Sequence, residues 1–163
     1  MGRVFAQPDS GTYLLDGLLE TSQGFKKREP ERPVILAIAT EGAELSERYH
    51  DQVLEALENA GTAFHALMIG VPSGSLRDEE RERAIVLAQG TENSGGRYEN
   101  LLTSMALPAK IKQVAAELIN QYLVTYARPQ TLIPPERVVV SAKRPGLVAR
   151  GTVTKNQREQ GRP

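Results

Sequence analysis

The feature that most constrains the fold is one uninterrupted apolar segment in the first third of the chain. The segment from Pro33 to Gly42 reads PVILAIATEG, is rich in β-branched residues and is too short for a typical helix. Such a run is typical of a parallel strand that helices cover on both faces. Because ligands of open α/β sheets bind beyond the carboxyl ends of the strands, we expect binding residues at Thr40, Glu41 and Gly42.

A second apolar run, residues 62–70, also ends in glycine, and an amphipathic stretch at residues 44–59 separates it from the first. This order predicts a βαβ unit with parallel strands, in which the two apolar runs are the strands and the stretch between them is a helix that ends at Gly61. Further helices are predicted at residues 12–23, 77–89 and 109–121, with a short strand at residues 97–102.

The last third of the chain has a different pattern. Residues 122–127 and 137–142 are β-rich and residues 147–153 could add a third piece, which predicts an extension of antiparallel strands with one wet face. We therefore divide the chain into an α/β domain at residues 1–121, a C-terminal β extension at residues 122–153 and a disordered tail at residues 154–163.

Composition narrows the classes of partner. Twenty basic residues balance twenty acidic residues, so the chain lacks the positive charge typical of nucleic-acid binders. It has no cysteine, which excludes disulfides, thiolate metal sites and a cysteine nucleophile. No apolar run approaches the roughly 20 residues of a membrane span, and residues 1–10 do not resemble a signal peptide. Localisation is left open.

No catalytic constellation is visible in the sequence. His50 lies in a predicted helix, and His65 lies within an apolar strand, where a buried, hydrogen-bonded structural role is expected. The loop at residues 70–75 lacks the lysine of a phosphate-binding loop. Gly95 and Gly96 are explained by a turn that needs positive φ angles. We predict no catalytic or cofactor-binding residue.

Three side chains carry hard oxygen ligands of the kind that Mg²⁺ or Ca²⁺ prefers: Thr12, Asp16 and Glu41. Each also has a structural explanation. Asp9, Ser10 or Thr12 could cap the first helix, Asp16 could be a helix-surface charge, and Glu41 could be a solvated acid at a strand end. Spacing alone does not separate the metal site from these alternatives.

The order of short motifs resembles that of the von Willebrand factor type A domain. GTYLLDGL at residues 11–18 and VILAIATEG at residues 34–42 are similar to the family patterns G-T-x-L-x-D-A-L and V-I-x-L-x-T-D-G. RAIVLAQGTENSGGRY at residues 83–98 resembles a family helix followed by TGGRY. Residues 117–150 are similar to the end of a bacterial subfamily. The resemblance implies a Rossmann-like three-layer sandwich, of which this chain would hold the second half.

Domains of this family use a metal-ion-dependent adhesion site. By resemblance, Thr12 takes the role of the site's threonine, and Glu41 takes the position of its aspartate. No Asp-x-Ser-x-Ser loop occurs in the chain, and the extra methylene of Glu41 moves the carboxylate away from the position that tight Mg²⁺ geometry demands. We therefore expect an incomplete site in an N-terminally truncated domain, with Mg²⁺ or Ca²⁺ as its ion. Complete relatives are often exported.

The resemblance implies a non-enzymatic protein-interaction module, in which a partner's acidic side chain completes the coordination of the ion. Two alternatives stay open: a small α/β enzyme or nucleotide binder using Thr40, Glu41, Gly70 and Ser73, and a degenerate remnant without activity. Without the first half of the family's sheet, the apolar strand Val34–Ala39 would form an open edge. We expect self-association there, unless the C-terminal strands fold over it.

Overall fold

The computed structural model describes residues 11–72, 77–124 and 140–151. Helices and strands alternate through most of this part of the chain. In order, the elements are helix α1 (Leu14–Arg28), strand β1 (Val34–Thr40), helix α2 (His50–Ala60), strand β2 (Ala63–Ile69), helix α3 (Asp78–Ile85), a π-helical turn (Val86–Gly90), the single turn α4 (Thr91–Asn93), strand β3 (Tyr98–Leu101), a 3₁₀ turn (Ser104–Ala106) and helix α5 (Leu107–Ile119).

The three strands form one parallel sheet in the order β1-β2-β3. β1 pairs with β2 along its whole length, from Val34 opposite Ala63 to Thr40 opposite Ile69. β3 pairs with the second half of β2, ending with Leu101 opposite Ile69. The predicted α/β class and the parallel βαβ unit are confirmed, and β1 lies at an edge of the sheet.

The core lies between one face of the sheet and the helices that cover it. From β2, Phe64, Ala66 and Met68 are fully buried against α1, α2 and the π-helical turn. The helices contribute Leu15, Leu18, Val53, Leu57, Val86 and Leu87. On β1 the same face carries Ile35, Ala37 and Ala39, which pack against this core but are only partly buried. The prediction that β1 is buried on both faces is therefore wrong, because β1 is an edge strand.

The largest differences from the predicted helix boundaries are at the end of α1 and the start of α2. α1 continues beyond Gly24 to Arg28, with three basic residues in its last turn, where cations complement the helix dipole. α2 begins at His50, not at Glu44. Before α2, the side chains of Glu44 and Ser46 bind the start of α1. The predicted end of α2 at Gly61 is confirmed, with φ 61° at this glycine.

The predicted β extension begins where α5 ends. Within the described residues 122–124 and 140–151 there is no strand. The described residues do not include residues 125–139, 152 and 153 of the predicted extension. They also do not include the predicted tail at residues 154–163. α5 itself is confirmed, two residues earlier than predicted, with Pro108 in its first turn. In the described part of the chain, no helix is long and apolar enough to cross a membrane.

Candidate functional site at the carboxyl edge of the sheet

The segment before α1 lies along the loop that follows β1. The amide of Thr12 donates to the carbonyl of Ala43 at 2.8 Å, and the amide of Leu45 donates to the carbonyl of Thr12 at 2.7 Å. These two bonds form a short parallel bridge. The bridge brings together the threonine-bearing and acid-bearing segments, which are separated by one helix and one strand in the sequence.

Glu44 joins the two segments through its side chain. Glu44 is 2% exposed. Its carboxylate accepts hydrogen bonds from the amides of Leu14 and Ser46, at 3.0 and 3.2 Å, and from the hydroxyl of Thr12 at 3.2 Å. The hydroxyl of Ser46 accepts the amide of Asp16 at 3.1 Å. A carboxylate at a helix N-terminus satisfies free amides and complements the helix dipole.

These contacts correct the predicted cap of α1. Thr12 was one candidate for this cap, but the helix begins after Tyr13, which makes no side-chain capping bond. Glu44 and Ser46 cap the helix from another part of the chain. Sequence reasoning missed both residues, because a cap from a distant segment leaves no local spacing signal. The other two candidates, Asp9 and Ser10, lie outside the described residues.

Glu41 is held in a buried ion pair. Its carboxylate accepts Nη2 of Arg83 at 3.1 Å and Nδ2 of Asn100 at 2.7 Å. The side chains of Arg83 and Glu41 are 6% and 8% exposed. The same guanidinium donates to the carbonyl of Gly42 at 2.8 Å. Glu41 is therefore not a solvated acid, and a cation at its carboxylate would compete with Arg83.

Asp16, the third candidate ligand, forms an ion pair at 2.6 Å with Arg48. The hydrogen bond and the negative charge of Asp16 raise the pKa of the Arg48 guanidinium. Across the described ranges, no group of three or more histidine, aspartate or glutamate side chains is placed to hold a metal ion. The metal assignment of Thr12 and Glu41 stays a prediction.

The two histidines occupy different environments. The backbone amide and Nδ1 of His50 both lie 2.6 Å from Oε2 of Glu82, and these bonds lower the pKa of Glu82. His65 is 3% exposed, as its predicted structural role requires, but its Nδ1 finds no hydrogen-bond partner among the described residues. Burial lowers the pKa of His65, the negative charge of Glu117 opposes this effect, and the charges of Arg150 and Arg97 reinforce it.

An open groove of about 550 Å³ lies between the loop after β1 and the start of α3. Four acids and one base line it together with an apolar side chain: Glu44, Leu45, Glu47, Arg77, Asp78 and Glu79. The crevice predicted for the enzyme alternative does not coincide with it, since Thr40, Glu41 and Gly70 are not among the lining residues. Ser73 lies outside the described residues.

Comparisons with models of known families, with characterised proteins and with solved structures found no match to this chain.

The three predicted partner-binding residues differ in how accessible they are to a ligand. Thr40 and Gly42 are partly exposed, whereas the side chain of Glu41 is buried by its partners. A ligand at this edge of the sheet can therefore reach Thr40 and Gly42 without moving other groups, but it reaches the Glu41 carboxylate only by displacing Arg83 or Asn100. Because acid–base chemistry needs a carboxylate within hydrogen-bond reach of substrate, Glu41 could take part in it only after losing one of these partners.

Proposed function

We propose that this chain is a non-enzymatic protein-binding module of the von Willebrand factor type A class, with an incomplete adhesion site. One observation carries the proposal most: the bridge of Thr12 with Ala43 and Leu45 at 2.8 and 2.7 Å. In the family that the sequence resembles, the threonine-bearing and acid-bearing loops serve one binding site. A site shared by the two loops needs them side by side, as they are in this chain.

The partner surface in this proposal is the loop after β1, with Thr40, Glu41 and Gly42 at its start. The nearby groove is lined by four acids and one base, Arg77, so its net charge is negative. An acidic side chain of a protein partner would be repelled there unless a divalent cation lay between the two. We therefore propose that partner binding depends on Mg²⁺ or Ca²⁺ held by Thr12 and Glu41. To hold the ion, the hydroxyl of Thr12 must exchange its bond to Glu44, and the carboxylate of Glu41 must exchange its bonds to Arg83 and Asn100.

The ion pair sets a condition on this mechanism. For Glu41 to bind a cation, its carboxylate must exchange the guanidinium of Arg83 for the metal, and Arg83 keeps its bond to the carbonyl of Gly42. Removing the guanidinium, which competes with the cation for the Glu41 carboxylate, should favour cation binding. The variant Arg83→Gln, which removes the positive charge but keeps hydrogen-bond donors, should therefore bind a divalent cation more tightly than the parent chain.

Calorimetric titration of Mg²⁺, Mn²⁺ and Ca²⁺ tests the cation directly. Binding should be weakened by Thr12→Ala and by Glu41→Gln and strengthened by Arg83→Gln. Glu58→Gln is the matched control, because Glu58 is exposed near the opposite end of α2 and should leave binding unchanged. Binding that ignores Thr12 and Glu41 would overturn the metal assignment, and no binding at all would favour the degenerate remnant.

The partner surface needs a separate test. Random peptides displayed on phage can be selected on the immobilised chain with Mg²⁺ and then compared with and without chelator. We expect enrichment of aspartate- and glutamate-containing peptides, whose binding is lost with chelator and in Gly42→Lys but kept in Glu58→Lys. Selected peptides that bind Gly42→Lys equally well would place the binding surface elsewhere.

A further inference from the structure

We propose that the free edge of β1 pairs with β1 of a second copy of this chain, in antiparallel orientation about a twofold axis at Ala37. The pairing would join two three-stranded sheets into one continuous sheet. It rests on observations other than those behind the function proposed above, although Thr40, Glu41 and Gly42 would take part in both surfaces.

The backbone of β1 shows which groups are free. The carbonyl of Pro33 accepts the amide of Ala63, and the amide of Glu41 donates to the carbonyl of Ile69. Because alternate residues of a strand point their amide and carbonyl groups to opposite sides, the odd-numbered residues bond to β2. The amides and carbonyls of Val34, Leu36, Ile38 and Thr40 therefore point away from the sheet.

The side chains along this edge are apolar and incompletely covered. Ile35, Ala37 and Ala39 pack against the core and are only partly buried, and Ile38 on the opposite face is 43% exposed. β1 has seven residues and no charged side chain, proline or glycine. Natural edge strands usually carry such residues or a covering element to block pairing with other chains. Among the described residues, nothing pairs with the outer edge of β1.

The strand is complementary to itself in one register. With the twofold axis at Ala37, Leu36 lies opposite Ile38 of the partner subunit, and Val34 lies opposite Thr40 of the partner subunit. These are the residues with outward-pointing amides and carbonyls, so each such pair can exchange two hydrogen bonds. This register also brings no like charges together at the ends of the strand. Arg32 would face Gly42 of the partner subunit, and Glu41 would face Pro33 of the partner subunit.

Exposed apolar side chains also lie near the start of β1. Nη2 of Arg32 donates to the carbonyl of Leu118 at 3.2 Å, and Arg32 also bonds to Gln121. These bonds place the end of α5 beside the start of β1. Ile119, Tyr122 and Leu123, which follow there, are 81%, 91% and 82% exposed. Stable interfaces bury about 1,200 Å² or more, and we infer that these side chains add to the area that strand pairing alone would bury.

Sedimentation equilibrium of the full chain tests the association. The mass should rise with concentration from that of one chain, 17.9 kDa, to that of a dimer. Ile38→Pro removes one outward-pointing amide that β2 does not use, so it should leave a folded monomer, as judged by circular dichroism. Ile38→Lys should do the same by charge, and it serves as the test if the proline variant is unfolded. Ile38→Val, which keeps the amide and the apolar surface, should remain dimeric.

The register is tested by disulfide trapping. Any disulfide must form between introduced cysteines, because the chain has no cysteine of its own. Directly opposed residues of a non-hydrogen-bonded pair lie about 4.5 Å apart at Cα, within the range of a disulfide. Ala37→Cys should therefore form a covalent dimer on mild oxidation. Ile35→Cys, on the same face, would lie opposite Ala39 of the partner subunit and should not.

Three outcomes would overturn the proposal. The first is a single-chain mass at every concentration. The second is a dimer that persists in Ile38→Pro and Ile38→Lys. The third is equal crosslinking of Ala37→Cys and Ile35→Cys, which would show pairing without the proposed register. Mass and crosslinking report on strand pairing, whereas calorimetric titration reports on cation binding, so failure of one proposal can be distinguished from failure of the other.

Discussion

Arg83 lies 3.1 Å from the carboxylate of Glu41, and both side chains are more than nine-tenths buried at the carboxyl edge of the sheet. The pair connects α3 to the end of β1. The guanidinium of Arg83 also donates a hydrogen bond to the carbonyl of Gly42. This one side chain therefore fixes the start of the loop that forms the proposed partner surface.

The first prediction concerns this ion pair. Arg83→Met should destabilise the fold by about 3–5 kcal/mol, because it leaves the Glu41 carboxylate buried without its counter-charge. Urea unfolding measures the change. Arg81→Met is the matched control: Arg81 also pairs with an acid, Asp78, but the two side chains are 64% and 86% exposed, so the change should be within about 1 kcal/mol. Equal effects of both variants would contradict a structural role for the buried pair.

The second prediction concerns the cap of α1. Glu44→Ala should cost about 3 kcal/mol of stability, since it removes a buried carboxylate that accepts two amides and a hydroxyl. Hydrogen exchange should become faster at the amide of Leu14, where the helix begins. Glu47→Ala, at an exposed position of the same loop, should change neither quantity. Unchanged exchange at Leu14 in Glu44→Ala would show that the cap is dispensable.

The third prediction concerns His65 and pH. Burial lowers the pKa of His65 in the folded chain, so the unfolded chain binds its proton more readily. Stability should therefore fall as pH drops from about 8 to about 5, through the ordinary histidine pKa of about 6.5. His65→Leu should show a smaller loss over this range. The pKa values of Glu82 and Glu117 are also lowered in the folded chain. They affect stability only below this pH range, where unfolding allows these carboxylates to bind protons.

Urea unfolding at each pH, for the parent chain and for His65→Leu, measures this dependence. At about pH 8 the histidine is neutral in both the folded and the unfolded chain, so the comparison there isolates packing from protonation. Parallel pH profiles for the two proteins would contradict the assignment to His65.

The fourth prediction compares two glycines. A Cβ at Gly96 would lie 1.7 Å from the carbonyl oxygen of Phe64, so Gly96→Ala should destabilise the fold strongly, by more than the roughly 1 kcal/mol of a typical substitution. A Cβ at Gly17, within α1, would meet nothing within 4 Å. Gly17→Ala should therefore stabilise the chain by about 0.5–1 kcal/mol. Thermal unfolding distinguishes the two, and a stable Gly96→Ala would contradict the close approach.

Gly96 also shows a limit of the sequence-based interpretation. The turn was expected to need positive φ at both glycines, but only Gly95 has it, with φ 72°. Gly96 is required because its backbone lies against the backbone of β2. Local sequence indicates that a turn is present. It does not indicate which strand the turn approaches.

The sequence by itself determined the parallel strands β1 and β2, the helix between them and its end at Gly61. Each depends on a local pattern: an apolar run, a periodic apolar face or a glycine that accepts a left-handed conformation. These patterns act through burial and backbone sterics, which require no knowledge of distant residues.

Only the tertiary structure decided what the polar side chains do. Glu41 pairs with a residue 42 positions away, and Glu44 caps a helix that begins 30 positions earlier. A buried carboxylate is stable only with partners that replace water, and folding brings those partners from separate elements. For this reason the sequence could identify Thr12 and Glu41 as oxygen ligands but could not predict that Glu44 and Arg83 would be their partners.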